Sequence, residues 1–172
     1  MPPDAPAGYV VDTNVLSNRG DVERNPVLAE WLRRHAGRVR ISVVTIAEMH
    51  RGLILLEAKI AAIADRKVKA REIGRLARKR SWYVEVSRMF ADHIESVDRD
   101  IAEKWAEVSV RFPSLRDADK LIAATALVRG YGVATENTGH FRQAGMPIVN
   151  PFDVGSWDDG SDDDPVSPLL DR

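Results

Sequence analysis

The chain has no cysteine among its 172 residues. That excludes a disulfide framework, thiolate chemistry and Cys-based zinc sites. It also lacks an apolar run approaching the roughly 18–20 residues of a membrane-spanning helix. The stretch Met1-Pro2-Pro3-Asp4-Ala5-Pro6 has neither a basic leader nor an apolar segment and does not read as a signal peptide. The expected location is cytoplasmic, with no membrane partner.

What is present is ordinary in bulk and uneven in detail. A content of 44% apolar and 30% charged residues suits a globular protein, and the length suits one domain with a real core. The net charge of −1 hides an asymmetry. Residues 153–172 hold seven Asp and one Arg, leaving 24 basic and 19 acidic residues, a net of +5, in 1–152. We expect a disordered lead-in over 1–8, one domain over 9–152, and an acidic disordered tail over 153–172. A mildly basic body suits a polyanionic partner but does not demand one.

The stretch Tyr9-Val10-Val11-Asp12-Thr13-Asn14-Val15-Leu16 reads as a short buried strand with Asp12 at its carboxyl end. In open α/β sheets, ligands bind beyond the carboxyl ends of the strands. A carboxylate there is costly unless it caps a helix or meets a cation. A short helix is expected over Val15–Arg19, and another from Pro26 capped by Asn25, with Val27, Leu28, Trp31 and Leu32 as its apolar stripe and Gly37 as its end. A second strand is expected over 41–44. Thr45 and Glu48 then have capping-box spacing, but Glu48 also sits one turn into a helix leaving a strand end, aimed at the same crevice as Asp12. Both readings stand at this point.

Residues 57–80 read as one long helical segment with nine Lys/Arg, either a solvated face or a surface for phosphate or an acidic partner. A short strand follows at 94–97, then a helix bearing Ile101, Trp105 and Val108. The run from Asp117 to Val128 is a nearly apolar helix ended by Gly130. One Asp of Asp117 and Asp119 suffices as N-cap, which frees the other. Strands at 133–135 and 146–149 complete a three-layer α/β/α arrangement with a mainly parallel central sheet.

On such a fold Asp12, Glu48, Asp119 and the Glu136-Asn137 pair lie at strand ends or first helical turns. Carboxylates sharing a crevice repel each other and need a cation between them. Oxygen ligands without Cys or paired His favour Mg²⁺, with Mn²⁺ also suitable, over Zn²⁺. Such an ion activates water for phosphodiester hydrolysis. A phosphatase of the haloacid-dehalogenase type also uses an Asp after the first strand, but it needs a second Asp two residues on, where this chain has Asn14.

Five segments in this order and spacing resemble PIN-domain ribonucleases, specifically the bacterial toxins of the VapC and FitB type: Val11-Asp12-Thr13-Asn14-Val15-Leu16; Ile46-Ala47-Glu48-Met49-His50-Arg51-Gly52; Asp119-Lys120-Leu121-Ile122-Ala123-Ala124-Thr125-Ala126; Thr135-Glu136-Asn137-Thr138-Gly139-His140-Phe141; and Val149-Asn150-Pro151-Phe152. The resemblance implies a Mg²⁺-dependent endoribonuclease acting on RNA, a homodimer, and a cognate VapB-like antitoxin in a heterotetramer or larger complex. It places catalytic carboxylates at Asp12, Glu48 and Asp119. A fourth position, often Asp, falls on Asn137, 18 residues after Asp119. Glu136 beside it could supply the missing charge to the metal, and Asp117 is a further candidate. Thr13 and Asn14 would orient ligands and water. Arg51, Lys67, Lys69, Arg71 and Arg75 would contact RNA or antitoxin. The alternative is a degenerate module that binds RNA or protein without cutting.

Overall fold

The computed structural model describes residues 6–17 and 25–157. Five short strands form one sheet: β1 (Tyr9–Val11), β2 (Val39–Ser42), β3 (Ile94–Glu95), β4 (Gly132–Ala134) and β5 (Ile148–Val149). Their order is β3-β2-β1-β4-β5 and every pairing is parallel. β1 is central, with Val11 opposite Ile41 on one side and Ala134 on the other. Side chains alternate across a strand, so β1 feeds two cores. Tyr9 and Val11 pack with Leu28, Trp31, Trp82 and Val86 on one face. Val10 packs with Val108, Ile122, Ala126 and Phe141 on the other. The result is the expected three-layer α/β/α fold.

The helices are α1 (Thr13–Leu16), α2 (Pro26–Arg34), α3 (Val43–Ala61), α4 (Arg66–Met89), α5 (Arg99–Arg111), α6 (Asp117–Arg129) and α7 (Thr138–Phe141). α2 starts as expected: the Asn25 side chain accepts hydrogen bonds from the Val27 and Leu28 amides, and Pro26 opens the first turn. Of its stripe, Leu28 and Trp31 are fully buried, each stabilising the core by about 1.5–3 kcal/mol. The helix ends at Arg34, and Gly37 falls instead in a 3₁₀ turn, Ala36–Arg38. Gly130 closes α6 at φ +67°, where a side chain would be strained. Gly132 is required for a different reason: a Cβ there would lie 2.8 Å from the Tyr9 ring.

Several expectations need correction. β2 spans 39–42, not 41–44, because Ser42 caps α3 through the Val44 amide and turns the chain into a helix at once. The capping box at Thr45 and Glu48 therefore does not form. Thr45 donates instead to the Val11 carbonyl at 3.4 Å, tying α3 to β1. The segment 57–80 is not one helix. α3 ends at Ala61, and Asp65 caps a new helix by accepting from the Val68 amide. The two helices pack as a hairpin around Leu53, Ile60 and Leu76. The α6 N-cap is Arg116, not Asp117. Fixed contacts also extend past both edges of the expected 9–152 body. The Ala7 amide donates to the Gly130 carbonyl, and a 3₁₀ turn at Val154–Ser156 delivers Trp157 into the core. The expected disorder at 1–5 and 158–172 and the end of the first helix near Arg19 lie outside the described residues.

Candidate active site at the carboxyl end of the sheet

Asp12 follows β1 directly, and its backbone amide still donates to the Ala134 carbonyl, as if the ladder ran one residue further. The residue is 3% exposed. Its side chain does not cap α1. It accepts a 2.8 Å hydrogen bond from the Thr135 hydroxyl, which lies just beyond β4. Burial pushes the Asp12 carboxyl above its ordinary range. The Thr135 hydrogen bond opposes this, and the charges of Asp119 and then Glu48 add to the rise. Those last two contributions mean that the three acids share one electrostatic environment.

Glu48 reaches the same place from the second turn of α3, where the Thr13 hydroxyl donates to it at 2.5 Å. Asp119 arrives from the first turn of α6 with its side chain 1% exposed. Arg116 grips it with a forked pair of bonds, Nη2 to Oδ1 at 2.7 Å and Nε to Oδ2 at 3.1 Å. The same guanidinium lies 4.0 Å from Glu48. His140 Nδ1 stands 3.6 Å from Asp119 Oδ2. A divalent ion is thus not the only cation that makes the cluster tolerable: the chain supplies a guanidinium of its own.

Thr135 is the hub that binds these groups together. Its hydroxyl donates to Asp12 and accepts from the Asn14 side chain at 3.2 Å and from the Asn137 amide at 3.0 Å. One donor and two lone pairs are therefore all used. Thr13 and Asn14 both contact the cluster, Thr13 directly through Glu48 and Asn14 through Thr135. Asn137 reaches it through its backbone alone. Among the described residues, the exposed side chains of Glu136 and Asn137 have no hydrogen bond or ion pair with the acids. Asp117 turns away to pair with Lys120 at 3.1 Å. A fourth acidic arm is therefore not assembled with the other three.

Neither Thr135 nor Arg116 was selected from the sequence. A hydroxyl directly after a strand that pairs with β1 was the available signal for Thr135. For Arg116 it was a cation three residues before an N-terminal helical Asp, the spacing that brings side chains onto one face.

Two cavities flank the acids. One, of about 280 Å³, lies between α3 and α4 and is lined by Thr13, Glu48, Leu53, Arg75, Lys79 and Trp82, among others. The other, of about 190 Å³, is lined by Phe112, Arg116, Asp119, His140 and Gln143, among others. Of the basic residues singled out in the sequence, Arg75 lines the first cavity, whereas Arg51, Lys67, Lys69 and Arg71 do not.

The donor set suits a hard divalent ion: carboxylate oxygens on three elements, two of them almost wholly buried. Ionised, the three acids leave two negative charges after Arg116 is counted. As they stand, no three Asp, Glu or His side chains among the described residues are grouped closely enough to hold a metal. Arg116 is drawn onto Asp119 instead.

Comparison with known proteins identifies the family. Plasmid stability protein StbB of Pseudomonas syringae pv. tomato is 29% identical over 150 residues, covering 84% of this chain and 99% of that protein. VapC ribonuclease Y4jK of Sinorhizobium fredii is 29% identical over 147 residues, covering 84% and 97%. Among solved structures, the chain is similar to one in FitAB bound to an IR36 DNA fragment, with a TM-score of 0.57, 27% identity and coverage of 85% and 96%. FitAcB from Neisseria gonorrhoeae gives a TM-score of 0.56, again at 27% identity, with coverage of 84% and 98%. The PIN domain family matches residues 9–146, the whole sheet up to the approach to β5, and the chain belongs to that family.

Proposed function

We propose that this protein is a divalent-cation-dependent endoribonuclease and the toxin of a toxin–antitoxin pair. The observation that carries the reading is the convergence of Asp12, Glu48 and Asp119 at the carboxyl end of a parallel sheet, with charge to spare beyond what Arg116 offsets. RNA is the substrate class because a relative of similar length carries the name VapC ribonuclease.

Asp12, Glu48 and Asp119 would hold Mg²⁺ or Mn²⁺. The chemistry such an ion supplies is a more acidic water and neutralisation of phosphate charge. The chain's own residues do the positioning. Thr135 fixes the Asp12 carboxylate and Thr13 fixes that of Glu48, so two ligands meet an incoming ion already oriented. Asn137, with Glu136 beside it, sits in the exposed turn after β4, where its side chain is free to orient water or close on an ion. Arg75 and Lys79 supply positive charge along the cavity beside Glu48, a path for an RNA backbone.

An antitoxin of the VapB or FitA kind is the proposed partner, since FitAB is the named assembly of a structural relative. The α3–α4 hairpin is its proposed seat, because Ile54, Leu55, Ile73 and Val84 are exposed there and the adjoining groove opens beside Glu48. A homodimer, and a heterotetramer or larger with antitoxin, belong to the same proposal. Among the described residues no helix is long and apolar enough to cross a membrane.

The test is cleavage of structured RNA by purified protein, with Mg²⁺ or Mn²⁺ titrated and then chelated. Cleavage should need the cation and vanish in Asp119→Asn. RNA binding without cation-dependent cutting would overturn the reading and leave the scaffold alternative.

A further inference from the structure

Arg116 has an unusual position. Both of its forked hydrogen bonds go to a carboxylate that is 1% exposed, yet its own side chain is 63% exposed. It stands at the N-cap of α6 with extended backbone (φ −67°, ψ 151°), so its side chain leaves the chain before the helix begins. It can therefore move without disturbing helical hydrogen bonds. The adjoining cavity of about 190 Å³ lies on the same side of Asp119 and gives the guanidinium room. The same guanidinium lies 4.0 Å from Glu48, so it faces two acids of the cluster at once.

We infer that Arg116 is a resident counter-ion that competes with the divalent cation for Asp119 and Glu48, so that its release from Asp119 sets the affinity for metal. This rests on the reading of the three acids as a metal site. The physical reason is charge. Three ionised carboxylates, two of them almost wholly buried, repel one another in the metal-free protein, and a fixed guanidinium lowers that cost. The fork occupies two of the roughly four lone-pair sites of the Asp119 carboxylate and sets a positive charge against it, so an incoming ion meets fewer free sites and a like charge. The same contact that stabilises the empty site therefore weakens the loaded one. An oxygen cluster without such a plug would bind an ion more tightly but fold less readily without it.

The experiment measures Mn²⁺ binding rather than activity. Free Mn²⁺ is followed by electron paramagnetic resonance during titration of wild type, Arg116→Gln and Arg116→Lys, with thermal melts of each protein with and without Mn²⁺. Arg116→Gln should bind Mn²⁺ more tightly by about tenfold or more, within the range over which groups contacting the ligands shift metal affinity. Arg116→Lys, which keeps the charge but loses the fork, should fall between. Without metal, Arg116→Gln should melt below wild type, and Mn²⁺ should raise its melting temperature by more than it raises that of wild type. Equal or weaker Mn²⁺ binding by Arg116→Gln, with wild type still binding, overturns this inference and leaves the nuclease reading intact. No Mn²⁺ binding by any of the three overturns both. The partly exposed position of Arg116 keeps Arg116→Gln foldable, and Arg116→Lys gives an independent reading if it is not.

Discussion

The carboxyl end of the sheet and the α3–α4 hairpin handle charge in opposite ways. At the sheet end Asp12 and Asp119 are almost wholly buried, with the Thr135 hydroxyl on the first and Arg116 and His140 beside the second. On the hairpin the charges stand in solvent and pair loosely. Arg80 meets Glu57 at 2.9 Å and Arg75 meets Glu72 at 3.3 Å, with the arginines about half exposed. Beneath them the hairpin's core is small, Leu53, Ile60 and Leu76. Buried acids cost stability and are tolerated where they do chemistry, whereas exposed ion pairs are worth little and tune encounter with a partner. The difference separates a site from a surface.

The sharpest way to break this comparison is Asp12→Asn. If the sheet end is a site held at a cost, RNA cleavage should fall by more than about 100-fold, beyond what loss of a group behind a ligand produces. The metal-free protein should meanwhile melt at a higher temperature than wild type. The sign follows from the raised carboxyl pKa. The native state holds that proton more tightly than the unfolded chain, so ionising Asp12 at neutral pH works against folding. A variant that loses activity and also melts lower would make Asp12 a structural residue.

Next in size is Leu76→Ala, which opens the hairpin's small core. A loss of about 2–5 kcal/mol is expected, read by denaturant unfolding. If this small core supports only the outer part of the hairpin and not the start of α3 that carries Glu48, cleavage by the protein that remains folded should be little changed. A parallel collapse of activity would mean that hairpin and site are one unit.

A pH effect sharpens the picture away from both regions. His35 stacks on Trp31 at 4.7 Å between centroids, and its Nδ1 lies 2.8 Å from the Trp31 carbonyl, consistent with donation to it. Burial chiefly, with Arg38 and Arg34 nearby, holds its pKa below the ordinary histidine value, against the pull of that carbonyl. Above the unfolded value, near 6.5, protonation has no effect on stability. As pH falls from there toward the depressed folded value, the unfolded chain takes up the proton first and stability is lost. Melting temperatures between pH 7.5 and 5.5 should therefore drop more for wild type than for His35→Gln.

The smallest expected effect compares two cations on α4. Arg75→Gln, beside the groove, should reduce the salt dependence of RNA binding by about one unit of slope. Lys67→Gln, outside it, should change that slope little and stability by less than about 0.5 kcal/mol. Equal slopes would remove the distinction between groove and solvated face.

Much of this was legible in the chain. The β-branched run at Tyr9–Val11, the Asn25-Pro26 helix start and Gly130 as a helix stop are local signals with local causes, and each stands where expected. The misses share a different cause. Glu48 satisfies a capping-box spacing, but Ser42 took the cap because β2 ended earlier, and that depends on pairing with Ile94 and Glu95 far along the chain. The nine cations over 57–80 read as one helix because no Gly or Pro marks the break at Asp65. Thr135 and Arg116 could not be weighted from spacing, because their importance is set by what they touch.

The residue order alone determined the sites where strands and helices nucleate and supplied the acids that lie beyond them, because backbone preference and apolar periodicity act over a few positions. Only the folded arrangement decided that Thr135 would serve Asp12 from 123 positions away, that Arg116 would close on Asp119, and that Asn137 would face solvent. Those outcomes depend on which strands pair and which helix ends meet, a balance of burial and charge that no local window contains.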